Sequence, residues 1–411
     1  MKYVIVIPDG CADEPQAVLN GQTPLQAANL PNMDRIVQMG VCGRSNNVPA
    51  SLTPASDVAT LSLFGYDPLQ VYTGRAPLET VAMGIPLGPH DWAIRCNLVH
   101  VDNEQMRDFT AGHSTSEDGA PLIAAMQSAF GGPLPTGDGL SLRGTLEFHP
   151  GVSYRNILVY RGSADAPAPF TAATKTQPPH DIPDRAIADY LPKGPGSELL
   201  QDLMAKSRSV FAQHPMNLAR KARGEKVATQ VWLWGQGHAP SVRPFTEIYG
   251  PRGAIISAVD LVRGTGMLIG WKRIDVPGAT GYLDTDYAAK GRYGIAALAD
   301  HDLVCVHIEA PDEASHEGRA DAKVKALEEI DEHIVGPLLK ELPKYGDYRI
   351  LVSPDHRTTL RTRAHAYGAV PFAIAGTGVS SAGQSSYDEG TAERAALAFD
   401  PGHELMRWFL G

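Results

Sequence analysis

Tyr3-Val-Ile-Val-Ile-Pro-Asp9 is a short apolar run that ends on a proline and a carboxylate. That is how a buried strand delivering an acid to the end of a sheet reads. Two later stretches repeat the pattern. Leu303-Val-Cys-Val-His-Ile-Glu-Ala-Pro-Asp312 is followed by His316, and Arg349-Ile-Leu-Val-Ser-Pro-Asp355-His356 is followed by His365. In an open parallel sheet the carboxyl ends of the strands open into one crevice, so groups far apart in sequence converge there. Aspartates and histidines converging in this way bind metal, and the pattern reads as that of an enzyme.

Apolar strands alternate with helical patterns at both ends of the chain. The expected fold class is therefore α/β, a doubly wound, mostly parallel sheet with helices on both faces. Residues 23 to 40 predict a short first crossover helix, with Pro31 near its start and Gly40 placed to stop it. Between Trp92 and Pro183 the pattern changes. Strand-like runs, Ala93 to Val101 and Tyr154 to Tyr160, are separated by turns such as Gly131-Gly-Pro and Gly137-Asp-Gly. This predicts a smaller α+β cap domain at 92–183 inserted into a core formed by 1–91 and 184–411. Thr176-Gln-Pro-Pro-His-Asp-Ile-Pro183 reads as a hinge, because proline-dense polar stretches resist regular structure. Core elements then resume with a helix from Ser197 to His214, a strand from Thr229 to Trp234 and a run from Ile255 to Gly270.

Over 411 residues the chain is 43% hydrophobic and 20% charged, a globular composition with room for one large domain and a smaller one. Its net charge of −10 argues against a nucleic-acid or anionic-membrane partner, since those need a basic face. Pro8-Asp9-Gly10 ends the first apolar run after about five residues, so neither a signal sequence nor a spanning helix is expected there. Cys11, Cys42, Cys96 and Cys305 form no CxxC pair, which suits reduced thiols in a cytoplasmic protein and disfavours thiolate-held zinc.

Asp312 and His316 are four residues apart and share a face if a helix begins at the strand end. Alone, such acids fit a solvated first helical turn. Asp355 and His356 are adjacent, so they can serve neighbouring ions, and His365 joins them only by company. Asp9 has the same strand-end position, with Gly10 allowing close backbone approach. A mixed O/N set without thiolate suits Mn, Mg or Zn, and two such ions can clamp the attacking and leaving oxygens of a phosphoryl group. Ser56, in Thr53-Pro-Ala-Ser56-Asp57-Val, stands at a helix start where the dipole favours a negative oxygen. On that segment alone an N-cap serine reads as well as a nucleophile.

The chain resembles the cofactor-independent phosphoglycerate mutases of the archaeal type, within the alkaline phosphatase superfamily, over nearly its whole length. The resemblance is carried by Pro8-Asp-Gly, Ala55-Ser-Asp-Val-Ala, Gly65-Tyr-Asp-Pro, Tyr72-Thr-Gly-Arg-Ala-Pro-Leu-Glu79, Cys96-Asn-Leu-Val, Ala111-Gly-His-Ser-Thr115, Trp232-Leu-Trp-Gly-Gln-Gly237, Pro277-Gly-Ala-Thr-Gly281, the stretch from Glu309 to Gly318, and Asp355-His356. It implies a core of the alkaline phosphatase type with an inserted cap. It also implies that Ser56 is the phosphorylated nucleophile, with Asp9, Ser56, Asp355 and His356 around one divalent ion and Asp312, His316 and His365 around a second. 3-Phosphoglycerate would pass its phosphoryl group to Ser56 and take it back on the 2-hydroxyl, with no 2,3-bisphosphoglycerate needed. Arg95, Arg155, Lys290 and His113 are the expected counter-charges for the substrate's phosphate and carboxylate. Arg75 reads equally as a structural ion-pair partner.

The expected partner is a small phosphorylated metabolite, with no nucleic acid and no membrane, and a homo-oligomer is left open. The chain departs from the family's usual pattern in Arg357-Thr-Thr-Leu-Arg after the Asp-His pair, in Ala366-Tyr-Gly-Ala-Val-Pro371, and in Cys11 where Met is common. Those changes bear on the substrate more than on phosphoryl chemistry. The competing readings are a homoserine kinase using ATP through the same serine, a phosphate-ester hydrolase, and a non-catalytic scaffold.

Overall fold

Lys2–Pro8 lies inside an eight-stranded sheet. In order the strands are Lys272–Arg273, Gly253–Ile256, Leu303–Ile308, Lys2–Pro8, Tyr348–Val352, Val370–Gly376, Val41–Ser45 and Ala398–Phe399. Neighbours pair in parallel except on either side of Val370–Gly376, which runs against the rest. The computed structural model describes residues 1–134 and 143–411, so the expected Gly137-Asp-Gly turn lies outside the described residues.

Both faces of this sheet are covered, which explains why its strands read as continuous apolar runs. Val4, Val6, Val304, Val306, Ile350 and Val352 enter one core, and Tyr3, Ile5, Ile7, Leu303, Cys305 and Leu351 enter the other. The helices Pro31–Met39 and Ala320–Ile330 bring Met33, Ile36, Leu327 and Ile330 to the first face. Ser56–Leu63 and Glu404–Leu410 bring Leu61, Leu63, Leu405 and Phe409 to the second. Each fully buried Ile or Leu of this kind contributes about 1.5–3 kcal/mol.

The single helix expected over 23 to 40 is two, Pro24–Ala27 and Pro31–Met39. Thr23 and Gln26 close a capping box on the first, Ala28 turns extended, and Pro31 starts the second at its first position. Gly40 ends it as expected, and a side chain there would run into the Ile374 carbonyl.

Met1–Tyr72 and Ser241–Gly411 form one compact unit, and Thr73–Pro240 forms another. The sequence drew the smaller domain at 92–183, and the structure draws it wider on both sides. The reason is the strand Trp92–Asp102, which pairs antiparallel with Arg155–Arg161 and also with Gln230–His238. Its second set of backbone groups takes its partner from residues beyond 183, and the helix Ser197–Ala212 packs on that partner. The unit has α+β character, an antiparallel sheet with Ser116–Phe130 and Ser197–Ala212 against its core. The expected hinge lies within this unit as packed chain. Thr176 Oγ1 donates to Gln236 Oε1 at 2.6 Å, and Trp232 Nε1 donates to the Gln177 carbonyl at 2.7 Å. Among the described residues no helix is long and apolar enough to cross a membrane.

Candidate metal centre

Three parallel neighbours place the centre. Tyr3 pairs with Leu303 and with Arg349, so the carboxyl ends of all three strands leave the sheet on one edge. Asp9 follows one of them directly, and Asp355 follows another after Ser353-Pro354. After the third, the helix Ala310–Glu317 begins, and Asp312 and His316 share a face as their spacing predicted, with His316 Nε2 3.0 Å from Asp312 Oδ2. His365 arrives on a hairpin, Arg357–Thr359 with Ala364–Ala366, in which it stands opposite Thr358. The result is two triplets, Asp9 with Asp355 and His356, and Asp312 with His316 and His365. Within each, the donor atoms lie within 4.8 Å of one another. A third such group, Asp9 with His307 and Glu309, shares Asp9 with the first.

The donors fit cations on grounds of hydrogen bonding and charge. His316 Nδ1 lies 2.9 Å from the Arg363 carbonyl and His365 Nδ1 3.1 Å from the Pro54 carbonyl. A carbonyl only accepts, so both Nδ1 atoms carry the proton and both neutral rings offer a lone pair at Nε2. Those two Nε2 atoms are 3.2 Å apart, beside the Asp312 carboxylate, an arrangement that needs a cation between them. Without metal a proton serves. Burial disfavours the imidazolium, yet Asp312 outweighs it and lifts His316 to about 9. In the first triplet, Asp9 Oδ1 and Asp355 Oδ2 are buried with no hydrogen-bond partner. Burial, then the charges of Asp355 and Asp312, push the Asp9 carboxyl well above its ordinary range. Glu309 is pushed up by burial and then by Asp9. Carboxylates crowded out of water without compensation call for a divalent ion.

Ser56 is the first residue of its helix, and the preceding Ala55 occupies the cap position with no side-chain bond. The N-cap reading of Ser56 is thereby removed. Its Oγ instead lies 3.1 Å from His356 Nε2. His356 Nδ1 lies 3.2 Å from Thr358 Oγ1, whose own hydrogen is donated to Asp312 Oδ1. Thr358 has one proton and gives it to Asp312, so it accepts from His356 Nδ1–H. That leaves His356 Nε2 to accept from Ser56. Burial holds His356 below its ordinary pKa, in keeping with a neutral ring.

A family described as 2,3-bisphosphoglycerate-independent phosphoglycerate mutase matches residues 38–217. The chain is 47% identical over 408 residues to the enzyme of that name from Methanothrix thermoacetophila, covering 99% of each. It is 45% identical to 2,3-bisphosphoglycerate-independent phosphoglycerate mutase 2 of Methanothermobacter thermautotrophicus, covering 99% of this chain and 96% of that one. The chain belongs to this family. A solved protein from Pyrococcus horikoshii shares its fold with a TM-score of 0.79 at 27% identity, covering 100% of this chain and 96% of that one. The cofactor-independent phosphoglycerate mutase of Thermoplasma acidophilum shares the fold with a TM-score of 0.66 at 23% identity over the whole of both chains.

Of the four expected counter-charges in this family member, Lys290 lies in the larger unit and the others in the smaller. Lys290 is fully buried and donates to the His307 carbonyl at 3.3 Å, and burial lowers it to about 8 against the pull of Glu309. Arg95 is also buried, paired with Glu79 at 2.8 Å and stacked over Trp234 at 4.2 Å. Burial lowers it to about 10, with Glu79 opposing. Arg155 and His113 are exposed, and His113 holds a left-handed φ of 51°. Arg75 pairs with Glu79 at 3.5 Å, as the alternative reading had it. The sequence reading passed over His307, Glu309 and Thr358. His307 Nε2 lies 2.8 Å from Asp9 Oδ2, and its Nδ1 lies 3.1 Å from Ser257 Oγ. The signal for the first two was present, since both sit in the strand-to-helix stretch that ends on Asp312. Thr358 gave none.

Proposed function

We propose that the chain interconverts 3-phosphoglycerate and 2-phosphoglycerate without 2,3-bisphosphoglycerate, carrying the phosphoryl group on Ser56. The observation that carries this reading is the Ser56 hydroxyl set 3.1 Å from His356 Nε2, beside buried carboxylates that lack counter-charge. Asp9, Asp355 and His356, with Ser56, would hold one divalent ion, and Asp312, His316 and His365 a second. Such ions, Mn, Mg or Zn, supply positive charge that offsets the phosphoryl oxygens and favours the serine alkoxide.

The residues of the chain account for the rest. Ser56 Oγ attacks phosphorus, the bond from phosphorus to the 3-oxygen breaks, and the serine's proton ends on that oxygen. The 2-hydroxyl then attacks phosphoserine, the bond to Oγ breaks, and Ser56 regains a proton. Thr358 fixes the His356 ring so that Nε2 faces Ser56. His113, Arg95, Arg155 and Lys290 remain the proposed counter-charges for a small phosphorylated metabolite. Four buried, unpaired cysteines support a cytoplasmic location.

The test incubates Mn-loaded protein with 3-phosphoglycerate, and separately with homoserine and ATP, following 2-phosphoglycerate, phosphohomoserine and free phosphate. Formation of 2-phosphoglycerate is expected. Phosphohomoserine alone, or free phosphate alone, refutes the proposal in favour of a kinase or a hydrolase.

A further inference from the structure

Lys323 is a lysine with no exposed surface, standing on the helix Ala320–Ile330 that follows the one carrying Asp312 and His316. Its Nζ donates to Asp13 Oδ2 and to the Thr358 carbonyl, each at 2.8 Å. Asp13 is equally buried and lies four residues beyond Asp9. It is held in turn from several sides. Leu360 N donates to its Oδ2 at 3.2 Å, Glu14 N to its Oδ1 at 2.7 Å, and its own N–H donates to Glu389 Oε1 at 3.0 Å. One ammonium therefore ties together the exit of the first strand, the helix pair after the third, and the hairpin after the second.

What it grips on the hairpin matters. The Thr358 hydroxyl touches Asp312 of one triplet and His356 of the other, and Thr358 stands opposite His365 in the hairpin register. A buried ion pair with apolar surroundings is poor evidence for stability, because desolvating two charges offsets their attraction. It is a good device for fixing position.

We infer that Lys323, paired with Asp13, is a positioning residue that fixes the Asp312–His316–His365 triplet relative to the Asp9–Asp355–His356 triplet. The inference rests on the proposed two-ion reading. The second triplet depends on this clamp more than the first, because His365 stands on the gripped hairpin itself and His316 Nδ1 bonds to the Arg363 carbonyl in the hairpin's turn. Asp9 and Asp355, by contrast, also have anchors off the hairpin. Asp9 bonds to His307, and Asp355 Oδ1 accepts from His356 N at 2.9 Å and from Gly10 N at 3.4 Å.

The experiment is a Mn(II) titration of the full chain, with free ion read by paramagnetic resonance, on wild type and Lys323→Met. Wild type is expected to bind two ions. In Lys323→Met one of them should weaken about ten- to a hundredfold, as loss of a group that orients a ligand does, while the other changes less than about threefold. Turnover should fall in kcat, with KM for 3-phosphoglycerate unchanged. Because Lys323→Met leaves the Asp13 carboxylate buried alone, the double variant K323M/D13N is run beside it and should show the same one-site loss. Two unaltered affinities, or two that fall together with the melting temperature, overturn the inference and leave the metal centre standing. Failure of wild type to bind two ions overturns the proposed function, and the inference with it.

Discussion

Gly10→Ala separates the two demands that the metal centre makes on the chain. Gly10 follows Asp9 at φ 59°, a left-handed conformation that costs an alanine about 1–2 kcal/mol. An added methyl would also run into the Asp312 carboxylate and lie 2.6 Å from Thr358 Oγ1. Relief of that contact moves Asp312 and Thr358 by roughly 1 Å, a misplacement that costs about a hundredfold in rate. The backbone part should lower the melting temperature of metal-free protein by about 2–8 °C, taking 2–4 °C per kcal/mol for a domain of this size. The steric part should show as weakened binding of one Mn(II) ion and a loss of turnover beyond what the melting shift explains. Calorimetric melting without metal, Mn(II) titration and a coupled assay for 2-phosphoglycerate read the three quantities. A variant that melts within about a degree of wild type and binds both ions unchanged would refute the geometry at this turn.

Ser56→Ala should abolish transfer while costing only about 0.5–1.5 kcal/mol, the worth of its single bond to His356. Residual turnover at wild-type rates, with no phosphoserine detected by mass spectrometry, would end the covalent mechanism. Chelation should inactivate the enzyme and added Mn or Mg should restore it; activity persisting in protein shown to be metal-free is the contrary result. In the smaller unit, burial raises Asp108, but the hydroxyl and amide of Thr110 and the Lys226 ammonium outweigh it and leave the carboxyl at about 2. A folded value below the ordinary 3.8 means stability that is present above pH 3.8 and lost as pH falls toward 2. Asp108→Asn should flatten the acid limb of the melting curve in that window, and an unchanged limb would refute the assignment.

Much of the centre was legible because strand ends advertise themselves. Asp9, Asp355 and the Asp312/His316 pair each follow an apolar run, and a parallel sheet brings such ends to one edge without further information. His365 was legible only by company, since a three-residue hairpin strand carries almost no periodic signal. Thr358 and Lys323 were silent. A threonine's value here is a single hydroxyl whose direction depends on two partners far away in sequence, and a lysine reads as surface until something buried answers its charge. The boundary of the smaller unit was misplaced for a related reason. The partner of Trp92–Asp102 is chosen by hydrogen bonding across more than a hundred residues, and composition does not report it.

Sequence by itself determined the α/β class, the three acid-bearing strands and the family, because apolar runs, their lengths and the residues that end them are local properties. Tertiary structure alone decided which imidazole nitrogen faces Ser56, which carboxylates stand uncompensated, and which lysine clamps the hairpin. Those are matters of direction and distance between groups brought together only when the sheet closes.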